Sequence, residues 1–282
     1  MKVLVTGASG YIGSHVCKLL KEKDHTVIGW DTEIHGETND VKEFCDEYYN
    51  VDVTGQYAGG VYDAIVHLAG RSVVPDSLKE PAEYYRVNVG GTANLLSMTT
   101  TPHVIFASTS SAWEMASPYA RSKVAAEDVI KEKADGYTIF RFFNVSGTDG
   151  VHRQLGSPTH LIRVAAMVAS EKIPDLKIFG TDYDTRDGTC IRDYIHVVDL
   201  AKAHVVGLKR MLADEQSEHF EVFNLGTGKG NSVLEVIQTF EKISGVQLNY
   251  EIIEITAENP LEISVNKKDD NLVVVKKLVK NL

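Results

Sequence analysis

Cysteine is scarce in this chain: Cys17, Cys45 and Cys190 are the only three in 282 residues, with no CxxC pair and no finger-type metal spacing. An odd, scattered set argues against a disulfide framework and fits a reducing compartment. Proline is sparse, with seven, and no internal repeat or low-complexity tract is present, so fibrous and proline-rich architectures are excluded. No apolar run approaches the ~18 residues of a membrane span. The start, Met1-Lys2-Val3-Leu4-Val5, turns polar and glycine-bearing at Thr6-Gly7 instead of continuing as a secretory leader. Positive charge is also short: 29 Lys and Arg against 39 Asp and Glu leave a net charge of −10, so the mean field repels a phosphate polymer. The expectation is a cytoplasmic protein with no nucleic-acid or membrane partner, which meets anionic ligands locally through backbone amides or a few placed cations.

What is present is globular: 43% hydrophobic and 24% charged residues, at a length suited to one two-lobed enzyme. From Lys2 to Asn144, short β-branched runs at Val3–Thr6, Val27–Trp30, Ala64–Leu68, Val104–Ala107 and Thr138–Phe143 alternate with helical stretches at Tyr11–Lys23, Pro81–Met98 and Pro118–Lys133. Apolar runs without strict alternation indicate strands buried on both faces. The series predicts an α/β fold with a doubly wound parallel sheet of Rossmann type over residues 1–146. Residues 147–282 are expected to form a smaller C-terminal substrate-binding lobe with segments returning to the first unit. Its expected elements are a helix at Leu161–Ala169, strands at Lys177–Phe179 and Val222–Leu225, and helices at Val198–Leu212 and Val233–Ile243, before a basic tail, Lys267–Leu282.

Gly7-Ala8-Ser9-Gly10-Tyr11-Ile12-Gly13 follows the first strand and opens the first helix. There, glycines let backbone approach a pyrophosphate and the helix N-terminus offers unpaired N–H donors. Asp31 ends the second strand about 20 residues beyond, where a carboxylate accepts from ribose hydroxyls and repels a 2′-phosphate. Thr32-Glu33-Ile34-His35 adds no arginine, so NAD is favoured over NADP. Asp52, after the next strand, is a further candidate for the adenine end. Tyr119 and Lys123 form a Tyr-x-x-x-Lys pair at the start of a helix and share one face. A tyrosine acting as a base near neutrality needs its phenolate stabilised by ~3 pKa units, about 4 kcal/mol. A lysine ammonium, a helix N-terminus and a nicotinamide cation together can supply that. The same spacing also occurs on helices that do no chemistry. Ser108-Thr109-Ser110-Ser111 closes the strand at Val104–Ala107, at the edge where such sheets place ligands, although hydroxyl residues also simply end strands.

With these motifs together, the chain resembles the extended short-chain dehydrogenase/reductase family and, within it, the UDP-glucose 4-epimerases. The blocks that carry the resemblance are Val3 through His15, His67-Leu68-Ala69-Gly70, Pro118 through Lys123, Phe143-Asn144, Asp187 through Val197, and Asn224-Leu225-Gly226-Thr227-Gly228. The resemblance implies Tyr119 as catalytic acid/base, Lys123 as its modulator and a ribose ligand, and Thr109 as the active-site hydroxyl. It implies an NAD site lined by Gly7, Gly10, Tyr11, Ile12, Gly13, Asp31, Asp52, Val53, Leu68, Ala69, Gly70, Asn88 and Phe143. A UDP-sugar would be held by Thr109, Asn144, His160, Leu161, Lys177, Ile178, Phe179 and Arg192, with Arg192 at the diphosphate, in a homodimeric enzyme without a metal. For Arg192, the residues alone allow a surface ion pair as well.

The chain departs from the family pattern in three places. Only Ser110–Pro118 bridges Thr109 to Tyr119, where relatives carry a longer loop, and Trp113-Glu114 stands where they have a Tyr-Gly pair. Glu254–Asn259 lacks an Arg-x-Gly-Asp pattern, no arginine follows Arg210, and no final helix is evident. Dehydratases and decarboxylases of the same family need an acidic residue just after the active-site threonine, and Ser110-Ser111 follows here. The expected activity is therefore 4-epimerisation of a UDP-hexose. A non-catalytic binder of NAD or a nucleotide sugar is the alternative, against which Tyr119 and Lys123 stand.

Overall fold

The five apolar runs of the first half become strands covered on both faces. The computed structural model describes residues 1–33, 39–156, 158–212, 220–254 and 272–274. Its first half runs β1 (Lys2–Thr6), α1 (Tyr11–Lys21), β2 (Thr26–Asp31), β3 (Glu47–Asn50), β4 (Gly60–Val61), β5 (Ala64–His67), α2 (Val74–Lys79), α3 (Pro81–Tyr85), α4 (Gly91–Met98), β6 (Thr99–Thr100), β7 (Val104–Thr109), α5 (Pro118–Lys133) and β8 (Tyr137–Phe142). The second half continues with β9 (Asn144–Ser146), α6 (Leu161–Ala169), β10 (Leu176–Phe179), β11 (Ile191–His196), α7 (Val197–Leu212), β12 (Phe220–Gly226), β13 (Gly230–Ser232), α8 (Val233–Ser244), β14 (Tyr250–Ile253) and β15 (Leu272–Val274). No helix among the described residues is long and apolar enough to cross a membrane.

Eight strands pair side by side in the order β15-β12-β8-β7-β5-β1-β2-β3, and every ladder between them is parallel. All six residues of β7 and all four of β5 are buried, as strands sandwiched between helices must be. From β1 the chain builds outward through β2 and β3, then crosses to β5, β7 and β8. The order thus reverses between β1 and β5, and the crevice at the carboxyl ends of such a pair is where a doubly wound sheet binds ligands.

Local chemistry sets the helices that frame this crevice. Ser117 caps α5 by accepting from the Ala120 amide at 3.1 Å, and Pro118 fills the first position, where its missing N–H costs nothing. The run expected as one helix over Pro81–Met98 is helical throughout, but its middle, Arg86–Gly90, is a π-turn between α3 and α4. The other side of the sheet is covered by α1 and α7, which pack on each other and on Val3, Val5, Val66, Ile105 and Phe140.

The second half divides its elements. A three-stranded sheet, β13-β11-β9, and the parallel pair β10 and β14 lie outside the main sheet. A small core of Ala165, Val168, Leu176, Ile178, Ile237 and Leu248 joins α6, β10 and α8. The strand expected at Val222–Leu225 does not belong to that cap: it is part of β12, which pairs with β8 in the main sheet. Its inner end, Asn224-Leu225-Gly226, is buried there, while Phe220 and Val222 remain exposed.

Candidate active site

The chain leaves β1 through Gly7, whose φ of +71° suits glycine, and where a Cβ would come within 2.9 Å of the Ala69 nitrogen. A Cβ on Gly13 would lie 2.0 Å from the Gly7 carbonyl oxygen. Glycine at both positions lets the first turn of α1 close against the exits of β1 and β5. Gly10 is the N-cap of α1, with no side-chain cap and no acidic residue in the first turn, so the helix keeps its amide donors for an anion. Tyr11 and Ile12 open that helix, and the Tyr11 hydroxyl donates to the Gly147 carbonyl at 2.6 Å.

Asp31 sits beside this turn at the end of β2. Its Oδ2 accepts from the Ser9 amide at 3.0 Å and its Oδ1 from the Glu33 amide at 3.1 Å, which orients the carboxylate while leaving each oxygen further acceptor capacity. Asp52 is exposed and accepts from both the amide and the hydroxyl of Thr54 at 2.8 Å. Val53 is buried, and its carbonyl accepts from Asn94 at 2.7 Å.

Behind Leu68-Ala69-Gly70 lies a network that reading the sequence missed. His67 is 1% exposed, and burial pushes its pKa down to about 3, so the ring is neutral. The Thr92 hydroxyl donates to the Asn88 carbonyl at 2.6 Å, so it accepts from His67 Nε2–H at 2.9 Å, and His67 Nδ1 accepts from the Thr6 hydroxyl at 2.7 Å. The chain of donors thus runs from the end of β1 through β5 to the π-turn. Asn88, at the centre of that turn, accepts from the Arg71 amide at 2.8 Å and donates to the Arg71 carbonyl and to Ser122, at 3.1 and 2.9 Å. A Cβ on Gly70 would meet Asn88 Oδ1 at 2.8 Å and Lys123 Nζ at 3.8 Å, so Gly70, Asn88 and Lys123 share one corner.

Thr109 ends β7, and its Oγ1 accepts from the Ser111 amide at 3.2 Å. Burial pushes the Tyr119 pKa up to about 12, while the neighbouring Thr109 hydroxyl works in the opposite direction. Lys123 is pushed down to about 7 by burial, against the pull of Glu127, and its ammonium lies 4.2 Å from the centre of the Phe106 ring. Glu127 itself is fully buried and committed, accepting from Ser108 at 2.5 Å and from Arg141 at 2.8 and 2.5 Å. Phe143 follows β8, 9% exposed, with the Trp113 ring 6.0 Å away and Gly226 against its edge.

The expected sugar-site residues fall into two groups. Asn144 on β9 donates to the Asp193 carbonyl at 3.3 Å, which sets it beside Arg192 on β11. Arg192 forms no ion pair among the described residues; its one bond goes to the Ile191 carbonyl at 2.8 Å, so the surface-pair reading does not hold. The neighbouring Asp193 is turned inward, accepting from the amide and hydroxyl of Thr227 and from the Gly228 amide at 2.7 to 2.9 Å. The Asp-Tyr-Ile-His block is therefore a strand stapled to the Gly226–Gly228 turn. The second group, His160, Leu161, Lys177, Ile178 and Phe179, belongs to α6 and β10 around the small core. His160 is exposed at the start of α6, and Leu161 packs on that core. Lys177 and Phe179 face outward, Lys177 being 3.8 Å from Glu251, whereas the Ile178 side chain is 1% exposed, leaving only its backbone for a ligand. Glu254 is described, and the rest of Glu254–Asn259 lies outside the described residues.

The sheet-edge residues fit a dinucleotide. Gly7 and Gly13 form a cradle that side chains would fill, the first turn of α1 has no internal acceptor, and Asp31 is held toward the turn. Lys123 is a buried ammonium that, among the described residues, makes no hydrogen bond and no ion pair, as a group awaiting ligand hydroxyls should be.

Known proteins are similar to this chain in sequence and fold. The sequence profile of the family described as NAD dependent epimerase/dehydratase matches residues 3–226. The UDP-glucose 4-epimerase of Lactobacillus helveticus is 35% identical over 280 residues, which cover 89% of this chain and 84% of that protein. The crystal structure of UDP-glucose 4-epimerase from Brucella ovis in complex with NAD matches at a TM-score of 0.81 and 33% identity, covering 92% of this chain and 87% of that one. The structure from Bifidobacterium longum in complex with NAD+ and UDP matches at 0.82 and 29% identity, covering 99% and 92%.

Proposed function

The chain belongs to the NAD dependent epimerase/dehydratase family, and on that premise we propose that it interconverts UDP-glucose and UDP-galactose, retaining NAD through the cycle. The observation that carries the reading is one corner of the sheet edge. It holds a tyrosine whose phenol is acted on by a strand-end threonine, a buried lysine with no hydrogen bond or ion pair among the described residues, and Ser110-Ser111 where related lyase chemistry needs an acid. Residues 1–146 then serve as the cofactor unit and residues 147–282 supply most of the sugar site.

When bound, NAD supplies a hydride acceptor for C4 of the sugar and returns the hydride to the opposite face. Tyr119 takes the proton from the O4 hydroxyl and later gives it back. Without a further positive charge its phenol, pushed up to about 12, keeps its own proton; Lys123, the first turn of α5 and the cofactor ring supply that charge. Thr109 bridges the phenol and the sugar oxygen. Lys123 donates to ribose hydroxyls, Asn88 fixes the wall behind it, and Arg192 offers its guanidinium to the diphosphate. A homodimer belongs to the same reading, supported by the exposed apolar side chains of Leu78, Tyr85 and Met98 on α2, α3 and α4.

The test is incubation with UDP-galactose and with UDP-N-acetylgalactosamine, the products being resolved by sugar. Conversion of UDP-galactose is expected, with a loss of at least about 100-fold in Tyr119→Phe and unchanged NAD content. Binding of NAD and UDP-sugar without conversion would instead identify a non-catalytic binder.

A further inference from the structure

Away from the sheet edge, the second turn of α1 meets the loop that follows β9. His15, Asp149 and His152 converge there, their ligating atoms all within 4.8 Å of one another. His15 is 2% exposed. Its Nδ1 lies 2.8 Å from the Tyr11 carbonyl oxygen, which only accepts, so Nδ1 carries the proton and Nε2 a lone pair. That Nε2 is buried without a hydrogen-bond partner and faces Asp149 Oδ1 at 3.6 Å. Two electron-rich atoms of the chain therefore face each other, a costly arrangement in a buried place.

His152, also 2% exposed, faces the same carboxylate. Its Nε2 is 3.3 Å from the Asp40 carbonyl oxygen, and its Nδ1 donates to Asp149 Oδ2 at 2.9 Å. Each imidazole thus has a backbone carbonyl at its outer nitrogen and turns the other nitrogen onto the one carboxylate. Outer bonds of this kind orient histidines that ligate metals.

We propose that His15 Nε2, His152 Nδ1 and the Asp149 carboxylate bind one divalent transition-metal ion of the zinc class, with a fourth position open to water. Two imidazoles and one carboxylate suit Zn²⁺, Co²⁺ or Ni²⁺ better than Mg²⁺ or Ca²⁺, which prefer all-oxygen shells. Bonds of about 2.0–2.2 Å at tetrahedral angles put donor atoms roughly 3.4 Å apart. The three donor groups lie within 4.8 Å of one another, with 3.6 Å from His15 to Oδ1 and 2.9 Å from His152 to Oδ2, so the shell closes by side-chain movement alone. Asp149 Oδ1 also accepts from the amides of Val151 and His152 at 3.0 and 2.7 Å, which anchor the carboxylate. On Oδ2 the Lys18 ammonium sits at 2.9 Å on a side chain 29% exposed. An arriving cation displaces that ammonium and the Nδ1 proton of His152. The bound ion clamps α1 to the loop whose Gly147 carbonyl already accepts from Tyr11.

The full chain, stripped with EDTA, is titrated with Co²⁺ and then Zn²⁺. One equivalent of Co²⁺ should give the visible absorption of a four-coordinate nitrogen/oxygen site, and Zn²⁺ should displace it. His15→Ala and His152→Ala should each lose that absorption and weaken Zn²⁺ binding by at least about 100-fold. Lys18→Ala, a change at a part-exposed position that leaves the fold intact, should tighten it about fivefold by removing the competing charge. The proposal is overturned if neither ion binds saturably at micromolar concentration, if uptake persists in both histidine variants, or if Lys18→Ala weakens binding.

Discussion

An ammonium taken out of water costs several kcal/mol unless an acceptor or counter-charge meets it, and among the described residues Lys123 meets only the face of Phe106. Glu127, one helical turn further on, is spent on Ser108 and Arg141. Burial accordingly draws the lysine from its ordinary value of 10.5 down to about 7. Between those two values the unfolded chain holds a proton that the folded chain has released, so stability rises with pH across that window. Replacing the ammonium by an apolar chain of similar length should therefore stabilise the cofactor-free protein while abolishing turnover. Lys123→Met is expected to gain on the order of 2 kcal/mol at pH 7, with the advantage shrinking towards pH 10. Urea denaturation of both proteins at three pH values measures it. A gain that does not fall with pH would mean that the lysine is neutral for some other reason, or is not neutral at all. The ordinary expectation for replacing a buried polar side chain is destabilisation, so the sign alone is informative.

The elements were unequally legible. β1, β2, β5, β7, β8 and helices α1, α5, α6 and α8 announce themselves through buried apolar runs or helical periodicity, and Ser117-Pro118 marks the start of α5 outright. The short polar strands β9, β11 and β13 do not, because Asn144-Val145-Ser146 and Ile191–His196 owe their pairing to partners distant in the chain, and Asp193 to the Thr227-Gly228 amides. The glycine turn, Asp31, Tyr119 and Lys123 could be read because their chemistry is local to a strand end or a helix start. The link from Thr6 through His67 and Thr92 to Asn88 could not, since it spans four elements and depends on the π-turn at Arg86–Gly90, which has no periodic signature. That link carries a prediction. Thr92→Val keeps shape but leaves the buried His67 Nε2–H without an acceptor, which should cost about 1–3 kcal/mol and loosen NAD retention through Asn88. Thr92→Ser, which restores the hydroxyl, should recover both. Equal stability of the valine and serine variants by urea denaturation would show that the hydroxyl does not hold the π-turn in place.

At the scale of the whole molecule, two lobes must enclose a sugar that is briefly a ketone, and the connection between Thr109 and Pro118 is short for that task. It is also pinned along its length. Thr109 Oγ1 accepts from the Ser111 amide, the Met115 amide donates to the Ser111 carbonyl at 3.0 Å, and Arg121 donates to the carbonyls of Met115 and Ala116 at 3.0 and 3.3 Å. A segment so fastened does not fold down over a ligand, and its large side chains, Trp113 and Met115, stay 40% and 46% exposed. No arginine follows Arg210 in residues 211–282, so a diphosphate held by Arg192 would gain no second guanidinium from them. Losing one charge-assisted hydrogen bond costs about 1.5–3 kcal/mol, or roughly tenfold to more than a hundredfold in affinity. The oxidised sugar should therefore escape more often than from relatives with the longer loop, and each escape strands the cofactor as NADH in a subunit that cannot turn over again. Incubated with UDP-glucose, the enzyme should build up NADH fluorescence in step with a loss of activity, faster than the Lactobacillus helveticus enzyme under the same conditions. Added UMP, occupying the nucleotide pocket after the ketone has left, should not restore activity, whereas a reducible 4-keto sugar nucleotide should, because only it can accept the hydride from NADH. Constant activity with no more NADH than the comparison enzyme would mean that other residues close the opening, and the inference from the pinned loop would fail.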